Sequence, residues 1–203
     1  MSTIAIIDFE TTGISPHMGD RATEIAIVLW EDGRIVDRYQ SLMNAGVSVN
    51  SFITQLTGIT NDMLQSAPRA DQVMRDAAQF VAGRPMVAHN AAFDRQFWRA
   101  ELARCDQDGS HDFACTLLLA RRLYPDASNH KLGTLAALHH LPSSGRAHRA
   151  LADAEVTAHL LTQIQHDLRS RYGCTQVDHA LLMEVQRTNR QSVASRLKQR
   201  NAG

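Results

Sequence analysis

The opening of this chain constrains its architecture more than any later stretch. Residues Thr3–Phe9 read TIAIIDF, a β-branched, apolar run that suits a buried strand. Two more β-rich runs follow, Arg21–Trp30 and Arg34–Leu42. Between these two stand Glu31, Asp32 and Gly33, and an Asp-Gly pair tolerates the positive φ of a tight hairpin. Gly13 and Pro16 break the chain between the first run and the second. The expected start is a three-stranded antiparallel meander.

The pattern then changes to helical periods. Short helical turns are expected at Asn50–Leu56 and Asn61–Gln65, on either side of Thr57-Gly58. A helix at Ala70–Val81 ends before Gly83 and Pro85. A short apolar strand, Pro85–His89, precedes a helix at Ala91–Arg104. A weak strand at Asp112–Cys115 leads into helices at Thr116–Leu123 and Leu132–His140. A long amphipathic helix, Arg149–Leu168, closes at Gly173, and two tail helices are expected at Val177–Gln186 and Ser192–Gln199. This order predicts one α/β domain whose mixed sheet begins as a meander and is flanked by helices. The chain has 203 residues, 44% of them apolar, enough for one core. The reading divides it into a domain over residues 1–170 and a short basic helical tail over 171–203.

The net charge is zero, but it is unevenly spread. Residues 1–165 hold 14 Lys+Arg against 18 Asp+Glu, and residues 166–203 hold 7 against 3. A basic tail suits phosphate or a partner surface. Cys105, Cys115 and Cys174 form no C-x-x-C pair, which fits a reducing cytoplasm. The first residues lack a basic segment and meet Asp8 early, unlike a secretory signal. No apolar run approaches the ~20 residues of a membrane span. A cytoplasmic location is expected.

Three places carry acids that secondary-structure propensity alone does not ask for. Asp8 and Glu10 sit at the end of the first apolar strand, and residues i and i+2 of a strand share a face. Two carboxylates so placed repel each other unless a cation offsets them. Asp94 falls in the first turn of the helix after AHNAAF. His148 and Asp153 lie in AHRALAD, five residues apart. Five residues turn a helix about 500°, so the two meet only if His148 precedes the helix and Asp153 lies inside it. Taken singly, each acid has an ordinary explanation as a solvated or helix-dipole residue. Taken together, four carboxylates at strand ends and adjoining helices make an oxygen shell suited to Mg²⁺ or Mn²⁺. Two such ions are a known solution for phosphodiester displacement, and a histidine can take the proton of the attacking water.

These stretches resemble the DEDDh family of 3′→5′ exonucleases, to which the proofreading subunit of bacterial DNA polymerase III belongs. The motifs are IIDFETTG with Asp8 and Glu10, AHNAAFD with Asp94, and AHRALADA with His148 and Asp153. They span roughly residues 3–165. The resemblance implies a ribonuclease H-like fold, two Mg²⁺ ions with Asp8 bridging both, and release of 5′-mononucleotides from a 3′ end. It implies a general-base role for His148 and metal ligation by Asp8, Glu10, Asp94 and Asp153. It also places Thr11, Ile14, Leu56, Thr57 and Phe93 near the terminal nucleotide, with Leu56 as a wedge against the last base. The stretch Cys115–Pro142 looks most like the exonuclease X-like branch, with Asn129-His130-Lys131-Leu132 seating the helix before the third motif. Lys131, Arg146 and Arg149 are the basic residues expected to meet phosphate.

A stand-alone DNA exonuclease of repair or recombination is the leading expectation, acting on single-stranded or frayed DNA 3′ ends. A polymerase-associated proofreading subunit, with the tail as its partner-binding element, is a second. An exoribonuclease that trims RNA is a third, and an inactive nucleic-acid-binding scaffold a fourth. His139 and His140 are adjacent and point apart on a helix, and Met63, Met74 and Met86 read as core fillers.

Overall fold

The structure is a computed structural model that describes residues 3–142 and 148–202. Arg146, one of the expected phosphate contacts, lies outside the described residues. Strand β1 (Ile4–Thr11) pairs antiparallel with β2 (Ala22–Glu31), and β2 pairs antiparallel with β3 (Arg34–Leu42). The Asp32-Gly33 turn has φ of 46° and 86°, as the hairpin demanded. Strand β1 runs two residues past its expected end. It stays paired with β2 until a register shift between Glu10 and Thr11, so both acids lie on regular strand.

Beyond the meander come α1 (Ser51–Thr57), α2 (Asn61–Gln65), α3 (Ala70–Val81), β4 (Met86–Ala88) and α4 (Ala91–Ala103). Then follow β5 (Phe113–Cys115), α5 (Thr116–Leu123), α6 (Leu132–Leu138), α7 (Ala150–Tyr172), α8 (His179–Arg187) and α9 (Val193–Ala202). Strands β4 and β5 join parallel to β1, giving the order β3-β2-β1-β4-β5. This is a ribonuclease H-like mixed sheet. Two short 3-10 turns, Pro16–Met18 and Arg190–Ser192, stand where no helical period is visible.

Alternation along β1 and β2 builds two cores. Ile4, Ile6, Ala26, Val28 and Trp30 face α5, α7 and α8, while Ala5, Ile7, Phe9, Ile25 and Ile27 face α3 and α4. Asp8, Glu10 and Glu24 continue the first set by the same alternation, so all three point to the α7 side.

Helix α7 extends to Tyr172, four residues beyond its expected end, and stops at Gly173 with φ 70°. The division drawn at 170/171 thus falls inside a helix. Cys174, Val177, Leu181, Leu182, Val185, Val193 and Leu197 pack into the same core as Trp30 and Leu161. Gln186 of α8 accepts from the Cys115 backbone N–H at 2.6 Å and donates to the Phe113 carbonyl at 3.2 Å. It therefore caps the edge of β5, and the tail helices cover the sheet's end. Arg196 and Arg200 both pair with Glu184 while their side chains stay exposed.

Candidate active site

The site forms at the C-terminal ends of β1 and β4, where parallel strands of an open sheet leave room for ligands. Strand β1 delivers Asp8 and Glu10 side by side. Helix α4 brings Asp94, which is buried, and Asp94 Oδ1 accepts the Phe9 backbone N–H at 3.2 Å. That bond ties the helix's first turn to the strand between the two acids. Asn90, just before α4, has φ 63°, a left-handed conformation that Asn tolerates and that turns the chain sharply off β4.

The third motif closes the cluster. His148 stands in the loop just before α7 and Asp153 inside it, as the spacing requires. Asp153 Oδ2 accepts the His148 backbone N–H at 3.0 Å, which holds His148 at φ 60°. Left-handed backbone is costly for a residue with a side chain and persists only where neighbours enforce it. Ligand atoms of Glu10, His148 and Asp153 all lie within 4.8 Å of one another.

Electrostatics marks the cluster as short of positive charge. Burial pushes the Glu10 carboxyl up to about 8, with Asp153, Glu24 and Asp94 adding to the rise and Arg149 opposing it. Asp8 lies well above the usual carboxylate range, through burial first and then Asp94, Glu10, Asp153 and Glu24. Burial also raises Asp94, against the bond from Phe9, and raises Asp153, against the bond from His148. Among the described residues, Arg149 is the cation that opposes the rise at Glu10. It is committed elsewhere, because its Nε and Nη2 grip Glu24 at 3.1 and 2.8 Å. That bidentate pair commits two of the guanidinium nitrogens of Arg149, which was expected to meet phosphate, to Glu24.

Glu24 is a site residue that sequence reasoning missed. It is fully buried, pairs across the ladder with Glu10, and also accepts from Ala150 N–H and Gln40. Its signal was present: one acid inside the apolar strand ATEIAIVLW. A second missed pair, Arg21 with the buried Glu101, bolts α4 to the start of β2 at 2.8 Å. His89 was also missed. Its Nε2–H donates to the His130 carbonyl at 3.0 Å and its Nδ1 meets Thr116 Oγ1 at 2.9 Å, fixing the Asn129–Leu132 loop against β4. Burial lowers its pKa to about 4.

A cleft of about 1100 Å³ opens over these groups, lined by Asp8, His148, Asp153, Asn129, Lys131 and Arg121 among others. Ile14 is 76% exposed on the loop after β1, held by its carbonyl to Gln96, and Leu56 is 37% exposed on α1. Phe93 leans on Phe97 with ring centroids 5.0 Å apart. Thr11 is buried and its hydroxyl donates to the Gly13 carbonyl. Thr57, expected beside the terminal nucleotide, is buried instead. Its hydroxyl donates to the Ile53 carbonyl and accepts from Ile59 N–H, closing α1.

Comparison with known proteins agrees with this geometry. Residues 5–161 match the family model described as Exonuclease (RNase_T). The chain belongs to this exonuclease family, and its fold is of the DEDDh type. It is 35% identical over 170 residues to the DNA polymerase III PolC-type of Caldanaerobacter subterraneus subsp. tengcongensis, covering 81% of this chain and 12% of that protein. It is 36% identical over 165 residues to the 3′-5′ exonuclease DinG of Bacillus subtilis, covering 81% of this chain and 18% of that one. The chain thus spans under a fifth of the length of either relative. Among solved structures, Exonuclease X in complex with 5′ overhanging duplex DNA aligns at TM-score 0.70 and 28% identity, over 90% of this chain and 99% of that one.

Proposed function

We propose that this protein hydrolyses the last phosphodiester bond at the 3′ end of DNA, releasing 5′-mononucleotides one at a time. The observation that carries the reading is the convergence of Asp8, Glu10, Asp94, His148 and Asp153 at one end of the sheet. The donor set fits hard divalent cations. It offers four carboxylates that burial and mutual repulsion raise, with Arg149 at Glu10 and His148 at Asp153 opposing the rise only in part. Asp8, Glu10, Asp94 and Asp153 would hold two Mg²⁺ ions, with Mn²⁺ able to substitute. When bound, such ions activate water and neutralise charge on the leaving oxygen.

The chain's own groups do the rest. The His148 ring accepts the proton of the attacking water as the new O–P bond forms and the bond to the 3′ oxygen breaks. Asp153 fixes the His148 backbone, and the Glu24–Arg149 pair anchors the start of α7 beside Glu10. Ile14, Leu56 and Phe93 offer apolar surface to the terminal base and sugar, and Thr11 its backbone. Such contacts tolerate any base. DNA repair in a reducing cytoplasm suits the three unpaired cysteines, and among the described residues no helix is long and apolar enough to cross a membrane.

The test is nucleotide release from 3′-labelled single-stranded DNA, with Mg²⁺ or EDTA, beside a matched RNA. Metal-dependent release of single nucleotides from DNA is expected. Preference for RNA would replace DNA repair by RNA trimming, and no release from either with Mn²⁺ also tried would overturn the reading.

The similarity to PolC-type polymerases favours a second reading, a proofreading unit attached to a polymerase. Deleting the tail does not test it cleanly, because the tail's apolar residues sit in the core. Co-purification with a polymerase, weakened by surface changes at Arg190 and Lys198, would support it.

A further inference from the structure

The cleft poses an electrostatic problem for a polyanionic substrate. Asp8 and Asp153 line it, Glu10 and Asp94 act on Asp8 through charge, and Arg149 is already paired with Glu24. A strand whose scissile phosphate enters this field needs positive charge close by.

Lys131 and Arg121 supply part of that charge within the cleft, and more lies across one wall. A second hollow of about 220 Å³ borders the cleft, and Asn90, Leu117 and Arg121 line both. The hollow adds Arg95 from α4 and Gln186 from α8, and among the described residues no carboxylate lines it. Helical spacing explains the pairing: Leu117 and Arg121 are four residues apart on α5, and Ala91 and Arg95 four apart on α4. Residues of both helices line the hollow together with Phe113 and Cys115 of β5. Among the described residues, neither Arg95 nor Arg121 has an ion-pair or hydrogen-bond partner, unlike Arg21, Arg38, Arg149, Arg196 and Arg200. The N-terminus of α4, which Asn90 does not cap with its side chain, opens on the same hollow. Gln186 has both amide atoms engaged by β5, so the floor is closed and neutral.

We propose that Arg95 and Arg121 form a backbone-phosphate site for the substrate strand, one or more nucleotides upstream of the scissile bond. The inference rests on the exonuclease reading above and extends it. The acidic cleft and the basic hollow divide the work: the first does chemistry on one phosphate, and the second grips a neighbour. Arg121, on the shared wall, stands at the joint between them. Guanidinium groups suit this role because they bind phosphate with two parallel N–H bonds.

The experiment compares wild type with Arg95→Ala/Arg121→Ala, and with Arg99→Ala as a same-helix control outside the hollow. Binding of a fluorescent ten-nucleotide DNA is measured by anisotropy with Ca²⁺ replacing Mg²⁺, from about 50 to 200 mM salt. The double variant should bind at least about a hundred-fold more weakly, since each charged contact is a strong one. Its log–log salt slope should fall by about 1.4, or ~0.7 for each lost contact to a single strand. In Mg²⁺ the loss should appear in KM rather than kcat, and should grow from a dinucleotide to the ten-mer. Arg99→Ala should match wild type.

An unchanged salt slope and KM would overturn the proposal. So would an equal loss on dinucleotide and ten-mer, which would mean general damage to the active site. Weaker inhibition of the double variant by 5′-mononucleotide would assign the hollow to product phosphate instead. Wild-type protein that binds DNA with the expected slope but never cleaves it would sink the exonuclease reading and leave this site standing.

Discussion

Raising the pH of the metal-free protein from about 6.5 to 8 should destabilise it, and Mg²⁺ should reverse the effect. The Glu10 carboxyl is pushed from 4.5 up to about 8 in the folded protein. Between those values folded Glu10 keeps a proton that the unfolded chain has released. Stability therefore falls as pH rises through this window, by about 1.4 kcal/mol per pH unit, and levels off above it. His89 acts in the opposite sense. Burial lowers it from 6.5 to about 4, so its contribution grows as pH rises between those values. The two slopes oppose each other below about pH 6.5, and Glu10 is exposed to measurement above it. Over the ~1.5 units up to pH 8, Glu10 alone contributes a loss of roughly 2 kcal/mol. For a chain of this size that lowers Tm by about 4–8 °C. Asp8, Asp94 and Asp153 are raised in the same direction and steepen the fall. Thermal melts in EDTA across this range, repeated with Mg²⁺ and with Glu10→Gln, measure it. Mg²⁺ binds the ionised cluster and should flatten the slope, and Glu10→Gln should remove about one proton from it. A metal-free Tm that is flat or rises from pH 6.5 to 8 would refute the electrostatic account of the cluster.

Other expectations concern single positions. Asp8→Asn should cut nucleotide release by at least about a thousand-fold, yet leave the metal-free Tm equal or higher because it relieves repulsion; a lowered Tm with residual activity would contradict the ligand role. His148→Gln should slow hydrolysis by about 10²–10⁴ while leaving DNA binding in Ca²⁺ intact, which anisotropy can read. Glu101→Ala strands Arg21 and the Ala22 N–H, and breaking such a buried pair costs about 3–5 kcal/mol, measurable by urea unfolding. Leu182→Ala in the tail should cost about 2–5 kcal/mol, as a core residue does, whereas a detachable tail would lose almost nothing.

What the sequence determined by itself is what short-range physics encodes. Alternation and an Asp-Gly turn specify the meander, and β3 matches its expected bounds of Arg34–Leu42. Helical period and breakers give α3, α2 and α5 to the residue. The motifs name Asp8, Glu10, Asp94, His148 and Asp153, because each sits at a strand end or helix start that is legible locally. Tertiary structure decided which groups answer them. Whether Glu24 is an ordinary strand residue or the partner of Arg149 depends on two segments 125 residues apart. Whether Thr57 faces a ligand or its own helix depends on how α1 closes. The basic tail looked separable by charge count, but its apolar positions fill a core built by β1, β2 and α7. The free arginines, Arg95 and Arg121, come from helices on opposite faces of the sheet and share one hollow only because both border the edge strand β5. Propensity acts between neighbours in the chain. Pairing, burial and the field at a carboxylate act between neighbours in space, and the packed sheet supplies those.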